Sequence, residues 1–478
     1  MPNWSSVISQ DKIGKQGSVS EYNANNAWMF NGNNGCVNNN NKYNVNGVRP
    51  VHDSHIALEN PESVLVPLHE WYSIYRVCKR HSGNKRLHLL FRYGNLSKRI
   101  VDICTDVSHF EYVPQMSICF MIEVPRLREV IAAVFDDKMV QTFYCETVIP
   151  LLERHFLHPD SYACRKGKGG LRAVLQLQEY IYDDSRGYTR DVWLAKIDLK
   201  GFFMSIDTEL GVRLLCDFIN ARMEDGPRKQ LVLYLTRIIY QSMPQMHCIM
   251  QATRELHESL PEYKRMKGRC GFKGVAIGNP TSQMMGAFLT TYYLILLQEL
   301  DYHFVHYTDD TALVVTELER WLLERNLIGS YLHDELRLTL HPDKLYLQHY
   351  SKGVEMLGYK VRFNRLLPSD RIVHNFTWKL ECMSRKAKAS RSYMFANIEN
   401  YMQTVNSYMG LLSWCNSYRI RSRIMDGIRN SVFGKCFDFS DDNRKITIKP
   451  SYTMLAHYKR KNAERKKALR KSEFWRSL

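Results

Sequence analysis

The stretch FVHYTDDTALVV, residues 304–315, has two short apolar runs on either side of a polar centre. Apolar runs of this length, rich in β-branched and aromatic residues, are typical of a β-hairpin. The pattern predicts a hairpin with Asp309 and Asp310 at its tip. Two adjacent carboxylates repel each other unless a cation lies between them, and their hard oxygens suit Mg²⁺. A solvated Asp-Asp turn is the alternative, and a third carboxylate elsewhere would decide between the two.

A third carboxylate stands in WLAKIDLKGFF, residues 193–203, which begins as a strand that contains Asp198. An aspartate inside an apolar strand is costly unless it has a partner. The alternative is that Asp198 caps a helix near Gly201, but Asp207 is the better cap for the helix that follows. The strand and the hairpin lie more than one hundred residues apart. Their three aspartates together make a carboxylate set of the kind that holds two metal ions for phosphoryl transfer.

The remaining hydrophobic periodicity predicts a mixed α+β chain. Leu68, Trp71, Tyr72 and Tyr75 recur at the spacing of one helix face. Further helices are predicted over 87–103 with a start at Asn95, 131–153, from Leu171, 209–222, 228–241, 284–300, 318–338 and 375–436. Strands are predicted over 118–125, after Lys344, and over 354–361 with a bend at Gly358.

The amino-acid composition indicates a polyanionic binding partner. Lys and Arg outnumber Asp and Glu by 66 to 49, a formal net charge of +17, which favours nucleic acid. The twelve cysteines include no C-x-x-C pair, so they predict neither a zinc site nor a disulfide framework and fit a reduced, cytoplasmic protein. The apolar run 287–297 is too short to span a bilayer, so no membrane association is expected.

Two glycine-rich loops precede predicted helices. SYACRKGKGG, residues 161–170, contains Arg165 and Lys168 and can hold phosphate at a helix start, although an ordinary basic surface loop has the same composition. GFKGVAIGNPTSQ, residues 271–283, lets a flat polar group approach the backbone closely. The alternative for this second loop is a plain helix entry capped by Thr281 or Ser282.

Both ends of the chain are compositionally distinct. Half of the positions between Asn23 and Asn46 are Asn, so residues 1–55 are expected to be disordered. Residues 375–436 interleave basic and aromatic side chains, which predicts a nucleic-acid face. Its members are Lys379, Arg385, Lys386, Lys388, Arg391, Arg419, Arg421 and Arg423, with Tyr393, Phe395, Trp414 and Tyr418. The tail 457–471 has eight Lys or Arg and one Glu, and either binds nucleic acid or is simply solvated.

These motifs resemble those of reverse transcriptases, in the same order, over about residues 65–425. YTDD, which begins at Tyr307, resembles the Y-x-D-D palm motif, and Asp198 with the following FF resembles the earlier palm motif. VPRLRE (124–129) and the 161–170 loop resemble fingers motifs, and VEMLGY (354–359) resembles the primer grip. Two departures stand out: Thr308 is unusual at its position, and FDDK (135–138) replaces a more basic pattern, which is expected to alter nucleic-acid contacts.

The resemblance implies a right-hand polymerase with specific residue roles. The ligands of two Mg²⁺ ions, with Mn²⁺ as a substitute, would be Asp198, Asp309, Asp310 and the backbone of Leu199. Nucleotide contacts would be Arg165, Lys168, Phe203, which excludes a ribose 2′-hydroxyl, Gln283 and Lys344. Template and primer contacts would be Tyr307, Gly278, Ser282, Leu357, Gly358 and Tyr359. Fingers would cover 60–190, palm 191–362, helical thumb 363–436, and a basic tail 437–478.

The form I-G-x-x-x-S-Q, residues 277–283, is similar to that of diversity-generating retroelements. The resemblance implies a bacterial or phage enzyme that copies a template-repeat RNA into adenine-mutagenised cDNA. Its partners would be template RNA, primer, the RNA/cDNA duplex, dNTPs and a small basic accessory variability protein. The Asn-rich N-terminus resembles a translated template repeat, because Asn codons are rich in adenine. The alternatives are a retron-like or antiviral reverse transcriptase, and a catalytically idle RNA-binding protein.

Overall fold

The computed structural model describes residues 66–81, 95–123, 126–342, 346–453 and 457. The predicted disordered segment 1–55, the position of Lys344 and most of the basic tail therefore lie outside the described residues. Within the described part, the chain is a mixture of helices and short strands, as the sequence predicted.

The helices and strands follow one another along the whole described chain. The helices are α1 (Leu68–His81), α2 (Leu96–Ser108), α3 (Phe135–His155), α4 (Gly170–Asp184), α5 (Phe202–Ser205), α6 (Thr208–Arg222), α7 (Pro227–Gln241), α8 (Arg254–Glu258), α9 (Pro280–Glu299), α10 (Leu318–Asp334), α11 (Asp370–Ala389), α12 (Arg391–Ala396), α13 (Ile398–Leu412) and α14 (Tyr418–Arg429). The strands are β1 (Ser117–Ile122), β2 (Arg128–Ala132), β3 (Trp193–Asp198), β4 (Cys248–Met250), β5 (Phe304–Tyr307), β6 (Asp310–Val315), β7 (Tyr346–His349), β8 (Val354–Met356), β9 (Tyr359–Arg362), β10 (Arg365–Pro368), β11 (Phe437–Phe439) and β12 (Ile446–Ile448).

The chain divides into two compact units, each assembled from separated stretches. Among the described residues, the first unit contains those between 66 and 157 together with 201–289 and 336–338, and the second contains 158–200, 290–335 and those between 339 and 457. This division does not test the predicted boundaries of the fingers, palm and thumb, which stay a prediction.

A three-stranded sheet in the order β2-β1-β4 belongs to the first unit. β1 and β2 form an antiparallel hairpin, and β4 lies parallel to β1. The sequence prediction of a helix from Ile131 onward was wrong at its start, because Val130 and Ile131 are buried in β2 and the helix begins at Phe135. β-Branched residues at this point pair with β1 more favourably than they would pack in a first helical turn.

Two of the predicted helix starts carry the expected caps. The Asn95 side chain accepts a hydrogen bond from the Lys98 backbone N–H, and Asp207 does the same for Leu210. In α1, Trp71 is fully buried as predicted, but Leu68 is 45% exposed, so the buried face is rotated away from the first turn.

The FDDK segment has a structural role at the start of α3. Asp136 pairs with Arg99 at 2.5 Å. Asp137 is buried and accepts hydrogen bonds from the Tyr112 hydroxyl at 2.8 Å and the Gln115 backbone N–H at 2.9 Å. Both carboxylates are therefore engaged inside the fold, and the expectation that this segment alters nucleic-acid contacts stays a prediction. Acidic side chains in the first turn also suit the helix dipole.

The second unit contains a four-stranded antiparallel sheet in the order β5-β6-β3-β7. α4 packs on it, with Val174 and Leu177 fully buried beside Leu194 and Val305. The segment 354–361, predicted as one bent strand, is instead the hairpin β8–β9, because Leu357 and Gly358 both have positive φ, 52° and 87°. Such a pair of positive φ values reverses the chain within two residues.

The C-terminal part of the second unit is helical, as predicted, and is followed by one further hairpin. Helices α11 to α14 share a core around Phe376, Tyr401 and Met425. The β11–β12 hairpin closes this core with Phe437 and Ile446. None of the helices in the described part of the chain has the length and apolar character needed to cross a bilayer.

The buried Asp137 generates a pH-dependent prediction. Burial raises its pKa to about 6, despite the hydrogen bonds that lower it. The folded state therefore binds this proton more tightly than the unfolded chain, and the free energy of unfolding falls as pH rises from about 4 to 6. Asp137→Asn removes this loss, which amounts to about 3 kcal/mol at most. Urea unfolding between pH 4 and 7 measures the difference.

Tyr112→Phe is the matched control for this measurement. It removes a hydrogen bond that stabilises the charged carboxylate, so the window of falling stability extends to higher pH. If wild type and Asp137→Asn differ by the same amount at every pH, the raised pKa is wrong.

Candidate active site

Pairing of β3 with β6 brings the predicted carboxylates to one end of one sheet. Asp198 is the last residue of β3 and lies directly opposite Asp310, the first residue of β6. Directly opposed residues in an antiparallel pair have Cα atoms about 4.5–5.5 Å apart, with side chains on the same face. Asp309 stands in the two-residue turn that joins β5 to β6, because Tyr307 pairs with Asp310.

Thr308, the other residue of this turn, has a left-handed backbone with φ of 62°. A β-branched residue rarely adopts this conformation, which costs about 1–3 kcal/mol. Thr308, the unusual residue of the YTDD motif, is therefore a strained residue next to Asp309. Strain of this kind persists only where the surrounding structure holds it in place.

A lysine lies beside the opposed aspartates. Lys196 precedes Asp198 by two residues, so it shares the same face of β3, and its Nζ is 2.9 Å from Asp310 Oδ1. The same Nζ donates to the Glu355 carbonyl at 3.3 Å. The ammonium group offsets part of the repulsion that two adjacent carboxylates create. Sequence inspection missed Lys196 because a lysine in a strand carries no signal until its register is known.

The carboxylates suit Mg²⁺ by chemistry and by backbone position. Their hard oxygen ligands and the direct register of Asp198 with Asp310 match a shared cation. Among the described residues, however, no three acidic, histidine or cysteine side chains are already gathered as a metal site. Asp310 is engaged by Lys196 instead, so metal binding requires these side chains to reorient. The backbone of Leu199, the fourth predicted ligand, pairs with Leu340 at the end of the same strand.

The predicted phosphate-binding loop carries its cations close together. Arg165 Nη1 donates to the carbonyls of His158 at 2.7 Å and Ser161 at 3.0 Å, and Lys168 Nζ donates to Pro159 at 2.6 Å. Burial lowers the pKa of Lys168, and Arg165 beside it adds to the shift. A bound anion would offset this crowding of positive charge.

This loop is joined to the aspartate hairpin by backbone hydrogen bonds. The Tyr162 N–H donates to the His306 carbonyl, and the His306 N–H donates to the Asp160 carbonyl, both at 2.9 Å. His306 immediately precedes Tyr307 in β5. The structure therefore joins the start of the basic loop to the strand that leads into the aspartate turn, within the second unit. Sequence spacing alone could not show this contact.

The predicted primer-grip residues lie in the same unit. Leu357 and Gly358 form the β8–β9 turn, and Tyr359 is buried behind it. A Cβ on Gly170, at the start of α4, would lie 3.3 Å from Leu357 Cδ1. The β8–β9 turn therefore packs against the start of α4, the helix that follows the basic loop. Ile372 packs closely over Gly358, because an added Cβ would lie 3.1 Å from Ile372 Cγ1, which is tighter than an ordinary van der Waals contact.

The first unit contains the other predicted nucleotide-site residues. Gly278 and Gln283 are exposed, whereas Ser282 is buried and donates to the Ala276 carbonyl at 2.6 Å. A Cβ on Gly278 would clash with Val130 at 2.7 Å, so only glycine fits this turn. The hydroxyl of Ser282 thus shapes the loop rather than facing solvent.

Phe203 is half-buried in the same unit. Its carbonyl accepts a hydrogen bond from the Val275 N–H at 2.8 Å, and a Cβ on Gly286 would lie 3.3 Å from its ring. The small residue in α9 therefore makes room for this aromatic side chain.

The predicted nucleic-acid face of residues 375–436 is partly corrected. Trp414 and Tyr418 are exposed by 64% and 66%, as a stacking surface requires. Tyr393 and Phe395 instead pack against the helical core, and Arg421 is buried with Nη1 donating to the Asp442 carbonyl. The other predicted cations of this face are exposed: Lys379, Arg385, Lys386, Lys388, Arg391, Arg419 and Arg423. An exposed Trp378 on α11, missed from sequence, adds to the face.

No protein-family profile and no curated protein matches this sequence. Among solved structures, a telomerase from Candida tropicalis in complex with a TWJ fragment of telomeric RNA aligns with a TM-score of 0.41 and 9% identity over 66% of this chain. The corresponding Candida albicans telomerase aligns with a TM-score of 0.39 and 10% identity over 73% of this chain. The alignments span 55% and 66% of the telomerase chains. At this level of similarity, function must be inferred from the residues of this chain.

Lys196 yields a prediction about cation binding. Lys196→Met removes the ammonium that pairs with Asp310, so the carboxylates repel each other more strongly. A divalent cation then no longer competes with the ammonium for the Asp310 carboxylate. We expect a lower thermal midpoint in EDTA and severalfold tighter Mn²⁺ binding by calorimetry, in line with roughly 1 kcal/mol for a partly exposed pair.

Lys229→Met is the matched control, because Lys229 pairs with Asp225 at 2.7 Å instead. It should leave Mn²⁺ binding unchanged. Equal Mn²⁺ affinity in wild type and Lys196→Met would show that Lys196 does not compete for the carboxylates.

Proposed function

We propose that this protein is an RNA-directed DNA polymerase with a right-hand architecture. The observation that carries the proposal is the β3–β6 register, which sets Asp198 against Asp310 beside Asp309 in the turn. The basic loop hydrogen-bonded to β5 supports it, since phosphoryl transfer needs carboxylates and phosphate-binding cations in one place. The charge of +17 supports a nucleic-acid substrate.

The residues would divide the work of nucleotidyl transfer. Asp198, Asp309 and Asp310 would hold Mg²⁺, which when bound supplies a lowered pKa for the primer 3′-hydroxyl and a clamp for the triphosphate. Arg165 and Lys168 would exchange their loop carbonyls for phosphate oxygens. These two cations then neutralise charge that develops on the leaving group.

Selection of the nucleotide would depend on the loop and helix start of the first unit. Phe203 would exclude a ribose 2′-hydroxyl by its bulk. Gln283 and the backbone at Gly278, both exposed, would face the base pair. A side chain at Gly278 would clash with Val130, so the backbone there stays uncovered. Lys344, outside the described residues, would add a further cation at the nucleotide.

We propose further that the enzyme serves a diversity-generating retroelement. The support is sequence evidence: the I-G-x-x-x-S-Q form at 277–283 and the Asn-rich segment within 1–55. Adenine-rich codons for Asn are those that such a template repeat would carry, so the template would overlap the start of this reading frame. The function of this segment would then lie in the RNA, with a small basic variability protein as the enzyme's accessory partner.

Asp309→Asn tests the polymerase. The variant should lose primer extension on a primed RNA template by at least ~10³-fold while it still binds the template, because binding depends on the basic faces and not on this carboxylate. Extension is measured with dNTPs and Mg²⁺, and binding by fluorescence anisotropy at two salt concentrations. Unimpaired extension by the variant would falsify the assignment of Asp309. Template binding by a wild type that extends no primer would instead indicate an idle RNA-binding protein.

Sequencing of the cDNA tests the retroelement role. We expect errors concentrated opposite template adenines, and a near-repeat of the Asn-rich coding stretch in the flanking DNA that differs at adenine positions. Uniform errors across the four bases, together with no such repeat, would favour a retron-like or antiviral reverse transcriptase.

A further inference from the structure

The loop 277–283 is attached to the outer edge of β2 by an asparagine side chain. Asn279 is buried, and both ends of its amide bind backbone groups. Its Oδ1 accepts a hydrogen bond from the Ala133 N–H at 3.0 Å, and its Nδ2 donates to the Ile131 carbonyl at 3.2 Å. The Ile131 N–H in turn donates to the Ile277 carbonyl at 3.1 Å. The loop therefore satisfies three backbone groups at the end of β2.

These hydrogen bonds occupy the edge of β2 that β1 leaves open. β2 is an outer strand of its sheet, with β1 on its other side. In an antiparallel pair, successive residues alternate between directing their backbone groups to the partner strand and directing them away from it. The backbone groups of Ile131 bind the loop, and Asn279 offers them a carbonyl and an N–H like those of a peptide group. The side chain therefore continues the ladder that the Ile277 carbonyl begins.

The loop lies very close to β2 on one side of Asn279 and is held by a second hydrogen bond on the other. A Cβ on Gly278 would be 2.7 Å from Val130 Cγ1. The Thr281 carbonyl accepts a hydrogen bond from the buried Tyr240 hydroxyl at 2.7 Å. The loop therefore has little room to shift while the hydrogen bonds of Asn279 are intact.

Exposed residues of the loop lie on either side of Asn279. Gly278 precedes it and Gln283 follows it by four residues, and both are exposed. The buried amide of Asn279, by contrast, has its oxygen and its nitrogen bound to backbone groups. Asn279 is therefore placed to determine where its exposed neighbours lie, and not to contact a ligand itself.

We propose that Asn279 is a positioning residue for nucleotide selection, whose side-chain amide holds the 277–283 loop on β2 and thereby fixes Gly278 and Gln283 against the base pair. The inference rests on the proposed function, in which this loop lies at the templating base and the incoming nucleotide. A loop that shifts on β2 would accept a mismatched pair more readily, because the surface that tests the shape of the pair is no longer fixed. The hydrogen bonds of Asn279 can be tested without any nucleotide.

Asn279→Asp changes one hydrogen-bonding group at almost constant size. A charged carboxylate still accepts from the Ala133 N–H, but its second oxygen faces the Ile131 carbonyl and repels it. A protonated carboxyl donates to that carbonyl and restores both bonds. Burial and the facing carbonyl therefore hold the pKa of the introduced carboxyl above its usual range. The stability of the variant relative to wild type is then lost as pH rises through this raised pKa, and it returns at lower pH.

Two further variants serve as controls. Asn279→Leu removes both hydrogen-bonding groups, so its effect should be the same at every pH. Asn406 binds the backbone of Ile446 in the same way, with its Nδ2 donating to the carbonyl and its Oδ1 accepting from the N–H, both at 2.9 Å. Asn406→Asp should therefore lose stability with a similar pH dependence, but it lies in the second unit and should leave the loop unchanged. Native acids near the loop, such as Asp137, titrate in every variant, so each variant is compared with wild type at the same pH.

Backbone hydrogen exchange of peptides that cover 128–133 and 276–283 is the first readout, at pH 5, 6.5 and 8. At pH 8 these amides should exchange about tenfold faster in Asn279→Asp than in wild type, as expected for one lost hydrogen bond. The difference should shrink toward pH 5 and stay constant in Asn279→Leu. Exchange as in wild type at pH 8, or an excess in Asn279→Asp that does not change with pH, would overturn the role of the amide. Equally fast exchange of the same peptides in Asn406→Asp would also overturn it, since that indicates a general loss of stability.

Insertion of single nucleotides on a primed RNA is the second readout. At pH 8, Asn279→Asp should raise KM for the correct dNTP about tenfold and lower the preference for the correct over an incorrect dNTP by a similar factor. The kcat with saturating correct dNTP should change by less than about threefold, because the carboxylates and the basic loop are untouched. A fall in kcat with unchanged KM and unchanged preference would refute the positioning role. A wild type that extends no primer would refute the polymerase and with it the role in nucleotide selection, whereas hydrogen exchange would still decide whether Asn279 holds the loop.

Discussion

The structure depends most on a repulsive interaction: the β3–β6 ladder holds two carboxylates side by side at the end of a sheet. A solitary pair of this kind would weaken the ladder, because like charges directly opposite one another are destabilising. The protein offsets the repulsion with the ammonium of Lys196, placed two residues before Asp198 on the same face. The apolar residues of the same strands, such as Leu194 and Val314, are buried and hold the register. The acidic site is thus maintained by burial of its neighbours.

Local patterns predicted the elements of this site because alternation and turn chemistry are local properties. The hairpin around Asp309 and the strand that ends at Asp198 were both visible as apolar runs interrupted by acids, and both are confirmed. The errors arose where tertiary pairing overrides local preference. Ile131 lies in a strand because it pairs with β1. Arg421 is buried because its guanidinium donates a hydrogen bond to the Asp442 carbonyl.

The residues that support the site were harder to find. The sequence argument that an aspartate in an apolar strand needs a partner applies equally to His306, and it would have singled out this histidine. Its partners could not be named, however, since Tyr293 comes from α9 and Thr311 becomes adjacent only through the strand register. Lys196 likewise acquires a role only once β3 is aligned with β6. Sequence identifies polar residues that need a partner, and only the fold supplies the partner.

The backbone bonds between the 160–162 segment and His306 have one more consequence. β5 is an outer strand of its sheet, and outer strands are prone to pair with strands of other molecules. At His306 both backbone groups on that side are already taken, by Tyr162 and Asp160. The segment that leads into the basic loop therefore also covers this edge at His306, and its removal would leave these backbone groups open to pairing with another molecule.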